Sequence, residues 1–132
     1  DDEVLGAAYG YLFAKTAAAQ AQATYVTAPE TDFCRDVDHL LQAVTDRTRI
    51  VFVCNPGNPT GTRIPNAEIV RLRERLPASI LLILDQAYGE FDDQDQTEIF
   101  ALPQRGNTVV LRTLSKAYGM ASARVGWGIF PA

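Results

Sequence analysis

Residues 80–91, ILLILDQAYGEF, decide the fold. Ile80 to Leu84 are apolar without interruption, and Asp85 stands directly at their end. A short apolar run of this kind, bounded by loop residues, predicts a strand buried on both faces, as in parallel sheets. An acid delivered by such a strand is a helix cap, a metal ligand or the partner of a buried cation. Two further runs share the pattern, RIVFVCN at 49–55 and NTVVLRTLS at 107–115.

Helix-like segments alternate with these strands. EVL near residue 4 is a short strand, and the alanine-rich stretch from Tyr9 to about Gln22 reads as a helix, alanine being the best helix former. ATYVTAP (23–29) is a second strand, stopped by Pro29. DVDHLLQAV follows as a short amphipathic helix, with Asp36 placed favourably near its start. After the loop NPGNPTGT comes a helix from about Asn66 to Leu76, with Asn66 expected as its N-cap. RVGWGIF (124–130) closes the series, and residues 92–106, rich in Asp and Gln, are expected to be a surface excursion. The alternation predicts an α/β fold: a mainly parallel sheet with helices on both faces. In such sheets ligands bind at the carboxyl ends of the strands.

The chain has 132 residues, the size of one domain with one substantial core, and a net charge of −4. Arg63, Arg71, Arg73 and Arg75 lie beside Glu68 and Glu74, which reads as a solvated face and argues against nucleic-acid binding. No basic region precedes an apolar segment at the N-terminus, and no apolar run approaches the length of a membrane span. Cys34 and Cys54 match neither a disulfide framework nor a zinc motif. These features predict a soluble protein of a reducing, cytoplasmic compartment. No residue cluster has metal-ligand spacing, so no metal is expected. His39 reads as a solvated side chain, and Trp127 as a core or interface aromatic.

Three strand ends carry distinctive chemistry. Asn58 follows the first of the long apolar runs, Asp85 and Tyr88 the second, and Thr113, Ser115 and Lys116 the third, with Arg124 beyond. A lysine at a buried strand end is costly unless used; with its pKa lowered by desolvation, the neutral amine can form a Schiff base. A carboxylate at Asp85 suits a protonated pyridine nitrogen, which keeps that ring an electron sink. Arg124 with the Thr113 and Ser115 hydroxyls suits a phosphate. Together these groups describe a pocket for pyridoxal 5′-phosphate.

NPGNPTG, DQAYGEF and TLSKAYGMASARVGWG resemble three successive motifs of the fold-type I pyridoxal-phosphate aminotransferases, in the branch of histidinol-phosphate and aromatic aminotransferases. DEVLGAAYGY near the start adds to the likeness, which covers nearly the whole chain. The resemblance implies that Lys116 forms the internal aldimine and shuttles the proton between substrate and cofactor. It implies that Asp85 pairs with the pyridine nitrogen and that Asn58 and Tyr88 contact the ring oxygen. Ser115 and Arg124, with Thr113, would hold the phosphate, and Tyr9 would stack on the cofactor face. Gln86 stands where the family usually has Glu, and Gly57 where it often has Asn.

Residues 1–132 would then be the central portion of the cofactor-binding large domain, without the family's N-terminal arm and C-terminal small domain. The implied reaction moves an amino group from an amino donor to a 2-oxo acid or imidazole acetol phosphate, in a homodimer and in histidine or other amino-acid biosynthesis. A decarboxylase acting on an amino-acid phosphate shares the motifs, and an inactive fold remnant is the third reading. With the first and last strands lacking neighbours, self-association is expected.

Overall fold

The computed structural model describes residues 1–131. Six strands form one sheet: β1 (Glu3–Ala7), β2 (Thr24–Ala28), β3 (Thr48–Cys54), β4 (Leu81–Asp85), β5 (Thr108–Thr113) and β6 (Gly126–Ile129). Their order is β2-β1-β3-β4-β5-β6. All neighbours are parallel except β5 and β6, which run antiparallel. The edges are therefore β2 and β6. The expectation that the first strand lacks a neighbour is corrected, because β1 pairs on both sides.

Four α-helices connect the strands: α1 (Leu12–Gln20), α2 (Val37–Gln42), α3 (Asn66–Arg75) and α4 (Thr97–Arg105). The chain steps one way from β1 to β2 and the other way from β3 to β5. Right-handed crossovers then put α1 on one face of the sheet and α2, α3 and α4 on the other. The core lies under the three-helix face. Leu5, Val51, Val53, Leu82, Leu84 and Val110 point there and meet Leu40, Ile69, Leu72, Ile99 and Leu102. Burial alternates along β4, with Leu82 and Leu84 fully buried and Leu81 and Ile83 half-buried. The two central strands are thus fully buried on the three-helix face and mostly half-buried on the other, which corrects the expectation of strands buried on both faces.

Asp36 caps α2, accepting from the Asp38 and His39 amides at 3.0 and 3.1 Å. Those bonds, with the Thr31 hydroxyl, hold its carboxyl below the ordinary value. Asn66 is not the cap of α3; Pro65 occupies that position. The Asn66 side chain instead donates to Asp95 O at 2.8 Å, while its backbone N–H donates to Gln94 Oε1. Residues 92–106 are not a mere excursion either. They carry α4, whose Ile99 and Leu102 complete the core, because their spacing turns both onto one helix face.

The arginine run is also not uniformly solvated. Arg63 pairs with Asp92 and Asp93, and Arg71 with Glu68 and Asp38. Arg73, however, is buried and donates to four backbone carbonyls, those of Leu76, Pro77, Ile80 and Asn107. It ties the end of α3 to the starts of β4 and β5.

Candidate active site

β3, β4 and β5 end at Cys54, Asp85 and Thr113, along the edge where a doubly wound sheet places its ligands. A cavity of about 220 Å³ opens there. Asn58, Asp85, Tyr88, Thr113, Ser115 and Lys116 line it, six of the eight residues singled out in the sequence. Cys54, Ala87 and Tyr11 complete the lining.

Asp85 is the last residue of β4, and the pleat turns it away from the three-helix core. Its Oδ1 accepts the Ala87 N–H at 2.9 Å. Burial raises its carboxyl above the ordinary value, against the opposing pull of the Ala87 amide and the Lys116 charge. A half-buried carboxylate that pays for desolvation gains most from a cation placed against it. Beside it, burial and the Asp85 charge push the Cys54 thiol up to about 11.

After β5 the chain turns tightly. Thr113 Oγ1 donates to Ser115 Oγ at 2.9 Å and accepts the Ser115 N–H at 3.1 Å. This short loop fixes two hydroxyls side by side at the cavity. Lys116 follows, with Nζ 5.4 Å from the centre of the Tyr88 ring. The lysine is exposed at the mouth rather than buried, which corrects the expectation of a desolvated amine.

Asn58 comes from the loop between β3 and α3. Asn55, fully buried, clips the base of that loop: its side chain exchanges hydrogen bonds with the Ile64 carbonyl and amide at 3.2 and 2.9 Å. The Gly57 amide donates to Thr62 O at 2.9 Å and the Gly61 amide to Gly57 O at 3.0 Å. A second hollow of about 360 Å³ adjoins the first, sharing Asn58 and Tyr88 and floored by Pro56, Pro59 and Phe91.

Two predicted residues lie outside the cavity lining. Tyr9 is 56% exposed and packs on Phe33, with ring centres 5.5 Å apart. It sits in the turn ahead of α1, which begins at Leu12 and not at Tyr9. Tyr11, two residues on, supplies the aromatic lining instead. Sequence reasoning missed Tyr11, because only the start of the helix at Leu12 shows which tyrosine of the preceding turn reaches the cavity. Arg124 adopts a left-handed conformation (φ 53°), is exposed, and donates to Ala121 O at 3.0 Å.

Behind the site, Gln86 is fully buried. Its amide donates to Gln96 Oε1 at 2.8 Å and accepts Arg112 Nη1 at 3.2 Å. Arg112 also donates to Glu90 at 2.8 Å and lies over the rings of Phe100 and Trp127, 5.4 and 5.7 Å from their centres. This network, on the face opposite Asp85, anchors the β4 exit. Neither Gln86 nor Gly57 lines the cavity.

A family model described as Aminotransferase class I and II matches residues 1–132. The histidinol-phosphate aminotransferase of Maricaulis maris is 49% identical over 128 residues, covering 96% of this chain and 35% of that protein. The aromatic amino acid aminotransferase of Rhodococcus jostii is 50% identical over 110 residues, covering 83% of this chain and 31% of that protein. Among solved structures, histidinol-phosphate aminotransferase from Sinorhizobium meliloti in complex with pyridoxal-5′-phosphate superposes with a TM-score of 0.91. It shares 32% identity over 98% of this chain and 36% of that one. The chain thus spans about a third of the length of the curated relatives it matches.

Proposed function

The chain belongs to the class I and II aminotransferase family, and from that premise we propose that it forms the cofactor site of a pyridoxal-phosphate-dependent aminotransferase of the histidinol-phosphate or aromatic type. The convergence of Lys116, Asp85, Asn58, Tyr88, Thr113 and Ser115 on one cavity carries this reading.

The donor set fits the cofactor. A carboxylate whose charge is disfavoured by burial is matched by a protonated pyridine nitrogen, and two paired hydroxyls suit a phosphate. Pyridoxal phosphate, when bound, supplies an aldehyde that condenses with amines and a ring that stores electrons. The protein supplies placement and proton handling. Asp85 would keep the ring nitrogen protonated, and Asn58 and Tyr88 would hydrogen-bond the ring oxygen. Thr113 and Ser115 would hold the phosphate, with Arg124 joining them once its side chain turns from the Ala121 carbonyl. Lys116 Nζ, at the mouth and beside Tyr88, would be the amine that condenses with the cofactor aldehyde, releasing water, and would move a proton to and from the substrate carbon once displaced. Either Tyr9 or Tyr11 covers the ring face, and the lining favours Tyr11.

The substrates of this reading are an amino donor with a 2-oxo acid or imidazole acetol phosphate, and the setting is a cytoplasmic homodimer. Two free cysteines suit a reducing compartment. Exposed Tyr11, Phe13, Phe33 and Phe130 suit a subunit contact. The experiment is to load the full chain with pyridoxal phosphate and offer histidinol phosphate or an aromatic amino acid. An amino-donor-dependent conversion of the cofactor to pyridoxamine phosphate supports the reading. Carbon dioxide release would indicate a decarboxylase, and no uptake of cofactor an inactive remnant.

A further inference from the structure

The buried charges outside the cavity include one pair aimed at the Asn58 loop. The Arg35 side chain is 2% exposed, and that of Glu30 beside it 1%, with Glu30 Oε1 3.9 Å from Arg35 Nε. Among the described residues, neither Glu30 oxygen has a hydrogen-bond partner. A buried pair this loosely joined contributes little stability of its own, since desolvation offsets the attraction.

Arg35 spends its hydrogen bonds on the loop instead. Nη1 donates to Thr60 Oγ1 and Thr62 O, both at 3.2 Å, and to Thr62 Oγ1 at 2.8 Å. Nη2 has no partner among the described residues and lies against Gly57. A Cβ built on Gly57 would overlap Nη2, Cζ and Nη1 of Arg35. The guanidinium therefore fills the volume that any side chain at position 57 would need, and it holds the far leg of the loop through Thr60 and Thr62. Asn58 lies between these two anchorages.

We infer that Arg35 is a positioning residue for Asn58, setting the loop from behind so that the Asn58 amide faces the cavity, and that glycine at 57 is the condition for it. The role assigned to Asn58 rests on the reading under Proposed function; the packing of Arg35 under the loop does not.

Two measurements on the full chain separate these levels. Without cofactor, amide hydrogen exchange at Gly57 and Gly61 is compared with Leu84 in wild type, Arg35→Met, Arg35→Lys, Gly57→Ala, Arg35→Ala and the Arg35→Ala/Gly57→Ala double variant. Arg35→Met and Gly57→Ala are each expected to speed exchange of the loop amides about tenfold or more relative to Leu84. Arg35→Lys should recover part of the protection. Adding Gly57→Ala to Arg35→Ala should change little, because the space is then vacant. With cofactor loaded, the pH midpoint of its visible absorption band should shift by about half a unit or more in Arg35→Met and return towards wild type in Arg35→Lys.

Loop exchange that follows Leu84 in every variant, or a harmless Gly57→Ala with Arg35 present, overturns the packing. Faster loop exchange with an unmoved midpoint overturns the positioning role. If wild type takes up no pyridoxal phosphate, the proposed function fails, and the exchange data still decide whether Arg35 sets the loop.

Discussion

Cys54 and Asp85 are register partners on adjacent parallel strands, side by side at the carboxyl edge of the sheet and both lining the cavity. The Asp85 charge disfavours a thiolate at Cys54, and burial disfavours a negative charge on either group. The floor of the site is thus a place where anions are costly and a cation is welcome.

Asp85→Asn is expected to stabilise the cofactor-free protein at neutral pH. The folded-state carboxyl titrates above its unfolded value of 3.8, so the native state holds the proton more tightly than the unfolded one. Its ionisation therefore opposes folding above the folded-state value and stops doing so below the unfolded one. Urea unfolding across pH should show a gain for the variant near neutrality that fades as the acid range is reached. A gain of the same size at every pH contradicts the account.

The Cys54 thiol, raised to about 11 and 5% exposed, should resist alkylation near neutral pH. Cys34 is half-buried at the surface and should be the thiol that iodoacetamide labels first. Peptide mapping after brief treatment checks this, and equal labelling of the two would count against the cavity floor described above.

Arg73→Met leaves four carbonyls without their donor while keeping the bulk of the side chain. The loss expected is on the order of 3 kcal/mol, given the cost of orphaned buried acceptors. Denaturant unfolding measures it, and a loss below about 0.5 kcal/mol, the size of an ordinary surface substitution, would show that water replaces the clip.

The strands were legible because their apolar runs are short, dense and bounded by loop residues. Ile80 to Leu84 needed no tertiary information to be read as a strand. The helix α4 was hidden because Asp92 to Gln96 make its approach polar and Pro103 sits inside it, although Ile99 and Leu102 carry the core-facing spacing. Asn66 reads as a cap from sequence alone because a side-chain amide serves as well for a distant loop as for its own helix. At the site, six residues were readable from strand ends and motifs. Arg35 was not, since a lone arginine ahead of a short helix carries no local signal. Its role depends on Gly57, distant in the chain, which only the fold brings against it. Tyr9 rests on the resemblance alone and Arg124 on its phosphate-binding chemistry as well, and in this structure both lie outside the cavity lining.

The most direct test of the cofactor reading is a pyridoxal-phosphate titration followed by borohydride reduction and peptide mass mapping, with Lys116→Ala as the control. One phosphopyridoxyl adduct is expected, on Lys116, and none in the control. Adducts scattered over Lys15 and other positions, or an equal yield from the Lys116→Ala protein, would contradict the cofactor reading.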